Sequence, residues 1–314
     1  MILCVGTTPA VQRVMVFERL VLDSVNRAIS TMDGAAGKSV NVAKVLQALG
    51  CRPVAVGVAG GDSGKFVLEV LRSRGVEIDF VEVAARTRQC ATLIDRVSGH
   101  QTEVVEESAP VEADTPARLR SIFERRLRRS RAVVMSGTLA PGVEATFYRD
   151  CVAMANRLGI LSIVDAKGAA LESCLEIGPG LVKPNLVELE ATLGRRLADE
   201  TAVIEGMRDL LRRGARRVVV TAGKHPALAC DAAGCWRITH PSIQSANAIG
   251  SGDAFTAGLV WKLVEGESLG EACRWGSAAG AANALSLMPG DLEFSDVQRL
   301  APLVVVEPIA DCVG

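Results

Sequence analysis

The sequence predicts an α/β fold in which a mainly parallel central sheet carries helices on both faces and a small antiparallel β lid sits beside it. Three observations carry this expectation: short β-branched apolar runs alternate with helical patterns, two polar segments interrupt the alternation, and a Gly-x-Gly turn opens a long apolar helix. Ile2 to Val5 reads as a buried strand. The segment from about 12 to 32 mixes polar and β-branched residues and reads as the first part of the lid. Val42, Val45, Leu46 and Leu49, at i, i+3, i+4 and i+7, mark a helix that starts near Val40 and stops at Gly50. A strand at Val54 to Val58 and a helix at Gly64 to Arg74 follow. The segment 90 to 105 places the turn Ser98-Gly99 between two alternating runs and reads as the rest of the lid. A helix at Pro116 to Arg129, a strand at Ala132 to Ser136, a helix at Glu144 to Leu158 and a strand at Leu161 to Asp165 restore the alternation. They are followed by a helix at Thr201 to Arg213, a strand at Arg217 to Thr221, a hairpin around Cys230 and Cys235, and a helix at about Ala254 to Val264. No Pro/Gly/Ser-rich linker and no repeat divides the chain, so 1–314 is expected to be one domain with the lid inserted.

Composition excludes several classes of partner. With 314 residues, 49% hydrophobic content and a net charge of -1, the chain has the balance of an ordinary globular protein and no basic surface for nucleic acid. Its one tyrosine and seven phenylalanines leave little for base stacking. The basic run Arg125 to Arg131 fits a solvated helix face. Met1 to Gly6 lacks the features of an export signal, and no apolar run reaches membrane-spanning length, so a cytoplasmic protein without membrane contact is expected. Nine scattered cysteines without a CxxC pair read as reduced buried thiols, and the three histidines have no metal-ligand spacing.

The stretch Asn247-Ala248-Ile249-Gly250-Ser251-Gly252-Asp253-Ala254-Phe255 carries the strongest chemical signal. Glycines permit a tight turn whose N–H groups face outward, and the following helix adds its positive dipole end, which together make an anion site. A carboxylate beside a bound phosphate repels it unless it takes a proton from an attacking hydroxyl. The alternative is that Asp253 only caps the helix. Gly34-Ala35-Ala36-Gly37-Lys38-Ser39 ends like a Walker A loop, but that motif needs a glycine where Met32 stands, so the P-loop reading fails. What remains is a glycine turn feeding a helix, with Asn41 on its first turn.

These two stretches, with Ser136 to Gly142, Val164-Asp165, Lys183 to Leu189 and Val220 to Gly223 between them, resemble in order and spacing the signatures of the PfkB carbohydrate-kinase family. That family has the ribokinase-like fold, a three-layer α/β/α sandwich with a small β lid. Thr87 to Cys90 further resembles the phosphosugar branch, which includes 1-phosphofructokinase and tagatose-6-phosphate kinase. The resemblance implies an enzyme that uses ATP and Mg2+ to phosphorylate a hydroxyl of a sugar phosphate, with fructose 1-phosphate, fructose 6-phosphate or tagatose 6-phosphate as acceptor. Asp253 would be the general base, and Gly250, Ser251 and Gly252 would donate N–H groups to the transferring phosphoryl oxygens. Asn185 and Glu188 would organise Mg2+ through water. Lys183, Thr221 and Gly223 would line the nucleotide side, with Ser277 and Gly280 near the adenine.

On the acceptor side the resemblance implies that Gly37, Lys38, Asn41 and Thr138 meet the sugar. Arg88 would hold the phosphate it already carries, and Arg27 is a second candidate. Two departures bear on the acceptor. Gln12 stands where this branch carries an aspartate that binds sugar hydroxyls, and Ala36 and Ser39 stand where glycine is common and are expected to crowd the backbone near the ligand. They leave open an unphosphorylated sugar or nucleoside acceptor, and a catalytically weak sugar-phosphate or nucleotide sensor. The lid strands would expose an edge in a monomer, so a homodimer through the lid is expected.

Overall fold

The computed structural model describes residues 1–309. Two sheets organise it. Strands β1 (Ile2–Val5), β4 (Pro53–Ala59), β5 (Glu77–Glu82), β8 (Ala132–Ser136), β9 (Leu161–Asp165), β10 (Leu181–Val182) and β11 (Arg217–Ala222) pair in parallel. The antiparallel β12 (His225–Asp231), β13 (Gly234–Thr239) and β14 (Val305–Pro308) extend this sheet to ten strands, in the order β14-β13-β12-β11-β10-β9-β8-β1-β4-β5. Its central strands are buried from end to end, as strands covered on both faces must be. Cys4 points into one core and Leu3 and Val5 into the other, the period-two consequence of the pleat.

The first core lies under α1 (Lys38–Ala48), α2 (Gly61–Ser73), α8 (Ser251–Glu265), α9 (Leu269–Ala284) and α10 (Phe294–Leu300). The second lies under α3 (Thr115–Leu127), α4 (Phe147–Arg157), α5 (Ala169–Leu175), α6 (Leu186–Leu193) and α7 (Glu200–Arg212). Each fully buried Leu, Phe or Val in these layers contributes about 1.5–3 kcal/mol of apolar transfer. On α3 the buried Leu119, Phe123 and Leu127 recur at helical spacing, while Arg125 and Arg126 on the wet side pair with Asp79 of β5. The basic run is thus a solvated helix face, as its composition indicates.

The lid is a four-stranded sheet in the order β3-β2-β6-β7, with β2 (Ala10–Phe17), β3 (Ser30–Ala36), β6 (Arg88–Asp95) and β7 (Gln101–Val105). Its two hairpins, β2–β3 and β6–β7, are antiparallel, and they join through a parallel pairing of β2 with β6 that the sequence pattern did not reveal. The underside of the lid is apolar: Val14, Val16 and Ile94 pack on Met288.

Two further points differ from expectation. Cys230 and Cys235 are direct partners across the β12–β13 hairpin, with Cα atoms 4.2 Å apart, and form a disulfide. Hairpin register therefore brings together two thiols that the scattered spacing suggested were reduced; the other six described cysteines are free. Ser39, expected to crowd the ligand, is buried with its hydroxyl in the space a side chain at Gly6 would occupy, its Oγ 2.4 Å from that position. Among the described residues, no helix is long and apolar enough to cross a membrane.

Candidate active site

Parallel sheets gather ligands at the carboxyl ends of their strands. Here those ends present Thr7 and Thr8 after β1, Thr138 after β8, Asp165 at the end of β9, Lys183 after β10 and Thr221 on β11. Thr7 and Thr8 donate to the Thr138 carbonyl at 3.5 and 3.2 Å, which ties the first loop to the loop after β8.

Two glycine turns face each other across this end of the sheet. Gly37 caps α1 with φ 108°, and a Cβ there would lie 2.9 Å from both Pro9 Cα and Thr8 O, so only glycine lets this backbone pass. Gly250 caps α8 with φ 82°, its Cα face against Pro289. The Ser251 N–H donates to Ala248 O at 3.2 Å within the turn, and those of Asp253 and Ala254 to Gly250 O. Among the described residues no acceptor meets the N–H of Gly250 or Gly252. These two amides stand unpaired at the positive end of a fifteen-residue helix, an arrangement that can receive an anion.

Asp253 sits 7% exposed on the first turn of α8. Asn41 Nδ2, projecting from α1, donates to Asp253 Oδ2 at 2.8 Å, so each glycine-capped helix supplies one member of the pair. Burial raises the Asp253 carboxyl, Lys38 opposes the shift and Asp165 adds to it, and the group is pushed up to about 6. The Oδ1 of Asn41 is buried and has no partner, which leaves an acceptor free at the site.

Behind Asp253 lies a charge cluster. Asp165 is 1% exposed, with Lys38 Nζ at 2.9 Å, Lys183 Nζ at 3.0 Å, and Thr256 Oγ1 donating at 2.9 Å. Burial opposes its ionisation, but the two ammonium groups outweigh it and hold the carboxyl well below its usual range. Burial likewise opposes the charge on Lys38, and Asp165, Asp253 and Glu188 together hold it well above its ordinary value. Lys38 also lies 3.4 Å from Glu188. Sequence reasoning assigned Lys38 to the sugar; the structure pairs it with Asp165 and Glu188 and sets it near Asp253.

Asn185 and Glu188 form a capping box on α6: Asn185 Oδ1 accepts from the Glu188 N–H at 2.8 Å, and Glu188 Oε2 from the Asn185 N–H at 3.0 Å. With one carboxylate oxygen on the backbone and the other facing Lys38, Glu188 has little left for direct metal ligation. Among the described residues no group of three metal-ligating side chains assembles. This donor set fits a magnesium ion that keeps its water and leans on phosphate oxygens.

A cavity of about 580 Å³ opens on the other side of the α8 N-terminus. Thr221, Gly223, Ser251, Gly252, Ser277 and Gly280 line it, so four of the predicted nucleotide-side residues, Thr221, Gly223, Ser277 and Gly280, share one cavity with the turn that opens α8, while Lys183, Asn185 and Glu188 do not line it. His240 joins them, its Nδ1 2.7 Å from Ser277 Oγ.

On the lid side, Gln12 is 2% exposed and donates through Nε2 to Thr92 Oγ1 at 2.9 Å. Arg88 opens β6 and lines a small recess with Thr7, Pro9, Thr87 and Ser108. Its terminal nitrogens donate to Glu106 O and Thr8 O, both at 3.2 Å, while its buried Nε has no partner. Arg27 is not brought to the site. It lies in the exposed connection between β2 and β3, and since that hairpin pairs Ala10 with Ala36 at the site end, its loop is at the far end.

Asp165 was legible only as part of a motif, although an acidic residue closing a parallel strand is a recognisable signal. His240, Thr256 and Asn283 were missed. Asn283 donates to Ile249 O and accepts from the Gly290 N–H, clamping the anion turn from α9.

A model of the pfkB family of carbohydrate kinases matches residues 1–291. The chain is also similar to phosphofructokinase-2 from Escherichia coli in complex with fructose-6-phosphate, with 29% identity, 96% of this chain and 98% of that chain covered, and a TM-score of 0.86. A possible 1-phosphofructokinase from Thermotoga maritima superposes with a TM-score of 0.90 at 24% identity, covering 98% and 99% of the two chains. Ribokinase from Arabidopsis thaliana, complexed with ribose and ATP, does so with a TM-score of 0.76 at 19% identity over 96% and 98%. The last two establish the fold, which is ribokinase-like.

Proposed function

The chain belongs to the pfkB family of carbohydrate kinases, which use ATP, and from that premise we propose that it phosphorylates a hydroxyl of a phosphorylated ketohexose, with fructose 1-phosphate, fructose 6-phosphate and tagatose 6-phosphate as candidate acceptors. The observation that carries the choice of a phosphorylated acceptor is the buried, unpartnered Nε of Arg88 beside the site. A guanidinium nitrogen held out of water with its neighbours already bonded is placed to complete its set on a phosphate oxygen. The likeness to a phosphofructokinase-2 complexed with fructose-6-phosphate supports the same reading.

In this reading the acceptor lies between the lid and α1. The Oδ1 of Asn41 accepts from a sugar hydroxyl, and Gln12 and Thr138 contact the ring from the lid and the loop after β8. Asp253, ionised at neutral pH and held by Asn41, takes the proton of the attacking hydroxyl. The amides of Gly250 and Gly252 meet the charge that spreads over the transferring phosphoryl group. Lys38 and Lys183 offset charge on the donor side, and Thr221, Gly223, Ser277 and Gly280 hold the nucleotide in the adjoining cavity. A magnesium ion, when bound, neutralises the phosphates; Glu188 and Asn185 would hold it through water. The sugar bisphosphate and ADP identified by 31P NMR after incubation with MgATP and each acceptor would test this assignment directly.

The same proposal includes a homodimer through the lid. Both outer lid strands are open, and β7 exposes Val104 and Val105 at 53% and 46%. Light scattering at high protein concentration tests it, and a monomer there removes it.

A further inference from the structure

The lid touches the anion site at one polar point. Gln101, the first residue of β7, donates through Nε2 to Ala246 O at 3.1 Å and accepts through Oε1 from the Ala248 N–H at 3.0 Å. The amide thus pairs with the loop as a neighbouring strand would. Among the described residues no other lid side chain hydrogen-bonds this loop. Ala248 is not an incidental partner, because its carbonyl accepts from the Ser251 N–H and so frames the turn at Gly250.

A second contact reaches the same turn by way of Met288. Ile94, directly across the β6–β7 hairpin from Gln101, packs with Val14 and Val16 on Met288. The segment after Met288 buttresses the turn: a Cβ on Gly250 would lie 2.8 Å from Pro289. Asn247 Nδ2 donates to Leu287 O at 2.7 Å, and the Gly290 N–H donates to Asn283 Oδ1 at 2.7 Å, so hydrogen bonds tie the two loops into one frame. One pair of facing lid residues therefore meets both supports of the phosphoryl-binding amides, Ile94 through packing and Gln101 through directional hydrogen bonds.

We propose that Gln101 is a positioning residue through which the lid, seated on the acceptor, sets the amide turn at Gly250. The acceptor side and the phosphoryl-transfer side are then coupled through Ala246 and Ala248, and Gln101 acts on turnover and not on the binding of either substrate alone. The inference rests on the kinase reading above.

The test uses the full chain with Gln101→Ala and Gln101→Glu; the second keeps an acceptor for Ala248 but sets a carboxylate against the Ala246 carbonyl. Both variants are expected to lose tenfold or more in kcat, with KM for acceptor and for ATP within threefold of the parent and an unchanged melting temperature. Amide hydrogen exchange over 246–252 should be faster in Gln101→Ala than in the parent. A kcat within twofold of the parent overturns the proposal whatever the exchange shows, and so does a kcat loss with unchanged exchange. If the parent phosphorylates none of the acceptors, it is the kinase reading that fails, and exchange over 246–252 then decides alone whether Gln101 holds the turn.

Discussion

Asn41 Nδ2 lies 2.8 Å from Asp253 Oδ2, a contact between the first turns of two helices whose residues are 212 positions apart in the chain. Each helix is capped by a glycine at positive φ, and each brings its first turn to the carboxyl edge of the sheet. The pair orients the carboxylate and stabilises its charged form against burial.

Asn41→Ala is therefore expected to raise the Asp253 pKa, because the lost hydrogen bond favoured the carboxylate. The acid limb of kcat/KM should move to higher pH, and kcat at pH 7 should fall about tenfold or more, within the range of effects seen for orienting a general base. A pH profile of the variant beside the parent checks both.

In the parent the acid limb should reflect a group near 6. The base works deprotonated, so log kcat/KM is expected to rise with unit slope below that pH and level off above it. A limb centred near 4 would mean that the carboxylate is not held by burial as the structure indicates.

Arg88→Ala should raise KM for a phosphorylated acceptor about tenfold or more while KM for ATP changes little, since a charge-assisted hydrogen bond to an anion contributes about 1.5–3 kcal/mol. Arg88→Lys is expected to recover little, because the ammonium cannot keep the bonds to Thr8 O and Glu106 O while offering a third nitrogen. Steady-state kinetics with each substrate varied in turn separates these effects.

The Asp165 cluster carries a stability prediction. Asp165→Ala leaves Lys38 and the buried Lys183 facing each other without their shared carboxylate, and removing one partner of a buried pair costs about 3–5 kcal/mol. Urea unfolding should show a loss of this order. Adding Lys183→Met should restore part of it, because the stranded charge is then gone.

Much of this was legible in the sequence, and the reasons differ by element. The strands at Ile2–Val5, Ala132–Ser136 and Leu161–Asp165 announced themselves because a doubly covered strand must be apolar throughout. Helix α9 did not, because Leu269–Ala284 is buried on nearly every side and has no polar stripe to set a period. Its small residues serve a close crossing with α8: a Cβ on Gly258 would meet Trp275 O at 2.5 Å, and one on Gly276 would meet Phe255 O at 2.8 Å. Ser277 and Gly280 could be placed only through the family resemblance. Asp253 and its glycines were readable because their chemistry is local in sequence. The ion pairs of Lys38 were not legible because Asp165 and Glu188 arrive from β9 and α6, far away in sequence, nor was the position of Arg27, because the β2–β3 hairpin carries its loop to the end away from Ala10 and Ala36.

The most direct test of a phosphosugar kinase built on Asp253 is ADP release with MgATP across fructose 1-phosphate, fructose 6-phosphate, tagatose 6-phosphate, fructose, ribose and adenosine, with Asp253→Asn run beside the parent. The account predicts turnover on a phosphorylated ketohexose, none of note on the unphosphorylated acceptors, and a loss of orders of magnitude in a variant that still binds ATP. Turnover of the variant equal to the parent, or a parent that prefers an unphosphorylated acceptor, would contradict it.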